Sequence, residues 1–321
     1  MNKTLIKLFK LFTFAFIFTI SLSTNVFAYE DIYYINSNDV SFTEEQYINL
    51  VRMGFTEEEI DGITKELFES YGDMNQVRLD KTVTKYFRET TLNDSTYVEE
   101  ISEREYENEV PNLSLNLVSP NSNSIHETNY KKITLTSYQV DITRPTERFV
   151  VSDLIWKKLP NVRSYDIYAA RVSGGYITNG TQFGSMTATG TKFDSNCAPM
   201  GTQDYTNTYS SGNSAWNISN GTFGYTGVGF TSELKKVPYV CINDLGMYSA
   251  SVSGYSARLS FKSQTGTTVY TSYQHASKDV SYNSVYHAYS FSSSGLGKVI
   301  YFSNSTLRNS YDAMGGVELT L

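Results

Sequence analysis

From Tyr130 to the end of the chain, short runs in which apolar and polar residues alternate are separated by turn residues, and Glu nearly disappears. A period of two is the spacing at which a strand buries one face and wets the other, so this stretch reads as strands paired into sheets. Tyr255, Ala257, Leu259 and Phe261 alternate with Ser256, Arg258, Ser260 and Lys262; the first set reads as buried, the second as wet. Just before them Tyr248, Ala250 and Val252 alternate in the opposite phase, which places a bulge at Gly254. Ile133 and Leu135 likewise give way to Tyr138, Val140 and Ile142. Residues 150–159 and 164–172 read as two strands around Pro160-Asn161, with Trp156 and Tyr165 as core aromatics. Asn220-Gly221 and Gln264-Thr265-Gly266 are hairpin signals. About ten to twelve such strands specify a mainly β fold, a jelly-roll-like β-sandwich over residues 130–321.

The preceding part is built differently. Residues 29–110 hold 21 Asp/Glu against 7 Lys/Arg, whereas residues 111–321 hold 12 against 16. An acidic segment followed by a weakly basic one marks a boundary and suggests mutual attraction. Within 43–71, Thr43-Glu44-Glu45-Gln46 and Thr56-Glu57-Glu58-Glu59 each match a capping box. Tyr47, Leu50 and Val51 follow the first at helical spacing, and Ile60, Ile63, Leu67 and Phe68 the second. Gly54 sits where a helix end favours a left-handed residue. The expectation is a helical hairpin with the second helix's glutamates in solvent, then a β-hairpin over residues 83–101 around Asn93-Asp94. Residues 111–129, with Pro111, Pro120 and many Asn and Ser, read as a linker.

Residues 1–28 carry Lys3, Lys7 and Lys10, an apolar run from Leu11 to Ile20, and the small-residue exit Val26-Phe27-Ala28. That is the pattern of a secretory signal peptide cleaved after Ala28. The apolar run falls well short of the roughly 20 residues that span a bilayer, so no stable transmembrane anchor is expected and the mature protein is placed outside the cell. The two cysteines, Cys197 and Cys241, then read either as a disulfide or as two small buried thiols.

The helical stretch Arg52-Met53-Gly54-Phe55-Thr56-Glu57-Glu58-Glu59-Ile60, the segment Trp156-Lys157-Lys158-Leu159-Pro160-Asn161-Val162-Arg163-Ser164-Tyr165-Asp166 and the closing Met314-Gly315-Gly316-Val317 are distinctive. Together they resemble a group of uncharacterised exported two-part proteins of spore-forming Gram-positive bacteria. The resemblance implies secretion and the order helix, then β; it carries no activity and no site.

No catalytic, metal or cofactor motif stands out. His126, His275 and His287 lack metal-ligand spacing, and no Gly-x-Ser-x-Gly elbow occurs. Asp194, Asn196 and Asp244 form no ordered calcium loop. Asp166 beside Arg163 reads as a structural pair. The acidic balance of residues 29–110 speaks against a nucleic-acid partner. Residues 200–230 gather aromatics among Gly, Ser, Thr and Asn, the mixture of adaptable recognition surfaces. Tyr205, Tyr209, Trp216 and Tyr225 are therefore the candidate ligand-binding residues, for an extracellular glycan or cell-wall polymer, and the same aromatics read equally as core. Two alternatives stand beside a non-enzymatic binding protein. One is a membrane-interacting or pore-forming β protein using residues 248–262 and 267–274 as an amphipathic hairpin. The other is a glycoside-acting enzyme whose carboxylate pair only the fold would assemble. Oligomeric state is left open.

Overall fold

The computed structural model describes residues 32–321 except 73, 75, 93–94, 110–126, 141–142, 287, 293–298, 313 and 315. The signal segment, the hairpin turn Asn93-Asp94 and most of the expected linker thus lie outside the described residues. In chain order the strands are β1 (Ile32–Ile35), β2 (Ser41–Thr43), β3 (Arg78–Leu92), β4 (Ser95–Ile101), β5 (Glu127–Gln139), β6 (Glu147–Trp156), β7 (Tyr165–Ser173), β8 (Phe183–Phe193) and β9 (Pro199–Ser210). They continue with β10 (Trp216–Asn220), β11 (Tyr225–Glu233), β12 (Val240–Asn243), β13 (Gly246–Ser249), β14 (Val252–Gln264), β15 (Thr268–Gln274), β16 (Tyr289–Phe291), β17 (Ile300–Phe302) and β18 (Val317–Thr320).

The protein is a mainly β sandwich. A seven-stranded sheet in the order β4-β3-β5-β6-β14-β8-β9 faces a five-stranded sheet, β10-β11-β7-β15-β18. Between them Ile133, Leu135, Leu154, Leu259 and Phe261 meet Tyr168, Val228, Phe230, Val269 and Val317, and the alternation at 255–261 holds as expected. The winding is of the jelly-roll kind, since β6 to β7 and β14 to β15 are crossovers from one sheet to the other. Residues 150–159 and 164–172 hold two strands around a turn as expected, though in different sheets, and one expectation is corrected: residues 248–262 and 267–274 are not a hairpin. A tight turn signal marks a reversal but not the sheet the next strand joins. The hairpin at Asn220-Gly221 does form, and the register slips between Val252 and Gly254, the bulge the phase change required.

Each sheet is covered on its outer face as well. Outside the seven-stranded sheet, Val140, Phe149, Val151 and Phe183 pack against Phe42, Leu50, Phe55, Ile60 and Leu67 of a helical cap. Full burial of such side chains is worth about 1.5–3 kcal/mol each. This explains the second phase change: Ile133 and Leu135 point into the sandwich, whereas Val140 points into the cap. Outside the five-stranded sheet, Ile167, Ala169 and Tyr270 pack on a layer built from Ala276, Val285, Tyr289, Phe302 and Tyr311. Strands buried on both faces lose the clean alternation of a one-sided sheet, as Ile167 to Val172 do.

The cap comprises three helices, Glu44–Arg52, Glu57–Asp61 and Lys65–Tyr71, rather than the expected two. Both expected capping boxes are present. The helical run breaks at Gly62, where an added Cβ would lie 2.5 Å from Thr208 Oγ1, and Thr64 caps a fresh helix. A further short helix, Glu103–Asn108, starts from a capping box of Ser102 and Glu105.

The cap also corrects the side of the sheet expected to be wet. Arg258 and Lys262 are buried beneath it. Arg258 bridges Glu59 at 2.9 Å and Asp153 at 2.7 Å; Lys262 pairs with Glu147 at 2.9 Å and donates to the Tyr71 carbonyl. Glu59 therefore leaves solvent as well: it accepts from Thr56 N, Ser185 Oγ and Arg258. The expected hairpin β3–β4 forms, but β3 also pairs along its length with β5 and so belongs to the main sheet. Residues 127–129, expected in the linker, open β5.

Candidate functional site

The densest chemistry in the molecule is one the sequence concealed. Glu89 of β3, Lys131 of β5, Asp166 of β7, His275 just beyond β15 and Asp312 near the C-terminus converge beside Trp156, none more than 2 % exposed. Lys131 Nζ donates to Glu89 Oε2 at 2.9 Å and to the Asp312 carboxylate. His275 Nδ1 lies 2.9 Å from Asp166 Oδ2, which also accepts from Tyr273 OH at 2.6 Å. The Ala276 amide donates to Asp166 Oδ1 and the His275 amide to Asp312 Oδ1. Asp166 thus has His275 and not Arg163 as its partner; Arg163 donates instead to the Pro160 carbonyl.

The electrostatics are matched to this burial. Desolvation opposes charge on His275, but the Asp166 and Glu89 carboxylates outweigh it and raise its pKa to about 9. Desolvation and the adjacent Glu89 carboxylate push Asp312 up to about 7 against the pull of Lys131. Glu89 is also penalised by burial, yet Lys131 and His275 hold it below the usual range. Lys131 and His275 thus face three carboxyls, of which Asp312 is pushed towards its protonated form. A His–Asp pair beside a glutamate could move protons. Here every one of these groups is already held by protein partners. A cavity of about 180 Å³ touches the cluster at Asp312, with Gln274 and Arg308 beside it and mainly apolar walls from residues 299–302.

The sequence-chosen aromatics are placed differently from one another. Trp216 is buried, 5.4 Å from Phe230, and its Nε1 donates to the Ser210 carbonyl. Tyr209 stacks on the same Phe230 at 4.9 Å and donates to Ser232 Oγ. These two meet and pack with the sandwich core. Tyr225 stands at the opposite end of β11, its backbone paired with Ile177. Tyr205 stacks on Tyr239 at 5.8 Å and donates to the Thr191 carbonyl. Cys197 and Cys241 are joined as a disulfide, with Cα atoms 5.6 Å apart. Asp194 Oδ1 accepts from the Asn196 and Ala198 amides of that turn. His126, His287 and Asp141 lie outside the described residues.

A large open concavity lies elsewhere, between the cap and the edge strand β9. It encloses about 840 Å³ and is lined by Tyr34, Glu57, Glu58, Asp61, Thr206 and Thr208 among others, with no Lys or Arg. Its rim is stiffened locally. Asn36 Nδ2 donates to the Ile60 and Ile63 carbonyls, and Asn38 Nδ2 to the Asp61 carbonyl. Asp61 accepts from the Ser37 hydroxyl and amide and from Tyr34 OH, and the Ser37 hydrogen bonds hold its carboxyl below the usual range. Thr56 caps the helix that carries Glu57 and Glu58, so both carboxylates favour its first turn. Tyr34 and Tyr33 each lie against Tyr47, at 5.2 and 5.3 Å, forming an aromatic ledge beside Asp61. The sequence signal for this groove was the acidic capping box; nothing in spacing announced that β9 would supply its other wall.

Among the described residues no group of three or more His, Cys, Asp or Glu is arranged to hold a metal, and no helix is long and apolar enough to cross a membrane. No family model, no curated protein and no solved structure matches this chain.

Proposed function

We propose that the protein is an exported, non-enzymatic binding protein that takes up a glycan or cell-surface polymer in the groove between the helical cap and β9. The observation that carries this reading is the lining: carboxylates of Glu57, Glu58 and Asp61 opposite the hydroxyls of Thr206 and Thr208, with Tyr34 at the edge. Carboxylates and hydroxyls are the acceptors and donors that pair with sugar hydroxyls, and an aromatic ledge supplies a face for a sugar ring. The absence of Lys and Arg from the lining favours neutral or amino-bearing sugars over acidic ones. The Ser37 hydrogen bonds that hold the Asp61 carboxyl low favour its acceptor form at the groove.

Purified residues 29–321, applied to an array of glycans and cell-wall polymers, test this. Saturable binding is expected, and Glu57→Gln/Glu58→Gln, which leaves the Thr56–Glu59 cap intact, is expected to weaken it at least about tenfold, the loss of one or two charge-assisted hydrogen bonds. Tyr205→Ala, next to Thr206 but on the opposite face of β9 against Tyr239, is expected to leave it unchanged. No binding, or binding indifferent to the double substitution, overturns the reading.

A further inference from the structure

The hairpin β12–β13 pairs with no other strand; it is a sheet of two. Its register sets Ile242 opposite Met247 and Cys241 opposite Tyr248. With side chains alternating along each strand, Val240, Ile242 and Met247 share one face and Cys241 and Asn243 the other. The inner face is fastened to the turn between β8 and β9, by the disulfide to Cys197 and by Asn243 Nδ2 donating to the Asn196 carbonyl at 2.6 Å. Among the described residues nothing covers the outer face: Ile242 is 70 % exposed, Met247 72 % and Leu245, at the turn, 86 %, with Met200 beside the clipped turn at 64 %. Beside it, Gly246 and Gly201 have open space where a Cβ would stand.

We infer that this hairpin is a docking surface for a phospholipid bilayer, into whose interface it lays Ile242, Leu245 and Met247. Two observations favour a bilayer over a shaped protein partner. Tyr239, just before the hairpin, and Tyr248, opposite Cys241 and so behind the apolar face, are both partly exposed, and amphipathic rings in that place sit at headgroup level. Lys236 precedes Tyr239 by three residues, and Lys192 lies between Thr191, bonded to Ser251 at the hairpin root, and Phe193, which contacts Tyr239. Both lysines are exposed, whereas Lys235 donates to Asn207 Oδ1, so Lys192 and Lys236 are the cations near the hairpin root that suit anionic phosphate. Of the nearby acids, Asp194 and Asp204 accept hydrogen bonds from the Asn196 amide and Thr189. Asp244, at the turn, opposes insertion. The disulfide fixes the hairpin beforehand, so docking has little chain to order. This surface is distinct from the groove beside the cap and independent of the proposed glycan binding.

Flotation of purified residues 29–321 with vesicles tests the inference, using phosphatidylcholine alone and phosphatidylcholine mixed with phosphatidylglycerol. The protein is expected to float with both and more with the mixture. Leu245→Asn/Met247→Ser, with its unfolding midpoint checked against wild type, is expected to lower partitioning at least about tenfold. Lys192→Gln/Lys236→Gln is expected to remove the preference for the mixture, and Asp244→Asn to raise partitioning. Glu57→Gln/Glu58→Gln should leave vesicle binding unchanged, which separates this inference from the groove. The inference is overturned if wild type floats with neither vesicle, if the apolar double variant floats equally well, or if light scattering shows a dimer that the same variant dissociates without any vesicle binding.

Discussion

Two regions of this molecule reverse the usual placement of residue types. Where Lys131, Glu89, Asp312, His275 and Asp166 converge, five ionisable side chains are sealed from water. At the hairpin β12–β13, Ile242, Leu245 and Met247 stand in it. The sealed cluster has partners for its charges and ties β3, β5 and β7 to the segments after β15 and before β18. The hairpin contributes little to the core and keeps its apolar atoms unmatched. The contrast teaches where function resides: buried groups already matched to one another serve the fold, and exposed groups without a match serve something outside it.

The largest expected effect would break the sealed side. Lys131→Met leaves Glu89 and Asp312 facing one another without their cation, and a loss of about 3–5 kcal/mol is expected in denaturant unfolding. Removing the clip, with Cys197→Ser/Cys241→Ser, is expected to cost about 2–4 kcal/mol by releasing a cross-link between distant parts of the chain. A pH series sharpens the cluster's role. His275 is raised to about 9, so its stabilisation is complete below its unfolded value near 6.5 and lost as pH rises through about 9. Asp312 is an acid raised to about 7, so stability also declines between its ordinary range and about 7. His275→Gln is expected to flatten the upper limb and leave the lower one, as read by thermal midpoints across that range. The smallest effect falls on the other side of the comparison: Leu245→Asn is expected to move stability by no more than about 0.5 kcal/mol. A large loss there would show that the hairpin tip belongs to the fold.

What the sequence made legible followed local rules. Capping boxes at Thr43 and Thr56, the bulge beside Gly254 and the inward set Tyr255, Ala257, Leu259 and Phe261 each depend on residues within a few positions. What it hid depended on covering. Arg258 and Lys262 read as wet because alternation reports polarity, not what lies above a sheet; the cap lies above this one. Trp216 read equally as a recognition aromatic and as core, because its neighbours Ser214 and Asn217 are polar, and its strand turns it onto Phe230. The charged cluster had no spacing signature at all, for its members are as far apart as Glu89 and Asp312. The only trace was a charge set within an otherwise strand-forming run, Lys131 before Ile133 and Asp166 before Ile167. Of the groove, the acidic wall was visible and was read as a solvated face; the β9 wall was not.

The span of these contacts also governs how the chain reaches its native state. Glu59 pairs with Arg258, Lys131 with Asp312, and Lys81 Nζ donates to the Thr320 carbonyl. The earliest-made parts of the chain thus wait for the last. Assembly dominated by such distant pairings is slow, because loop closure must precede its reward. A nascent chain that ends before Asp312 holds the Lys131 ammonium without one of its two carboxylates and lacks β18, which completes the edge of the smaller sheet. Refolding of this protein is therefore expected to be rate-limited by topology.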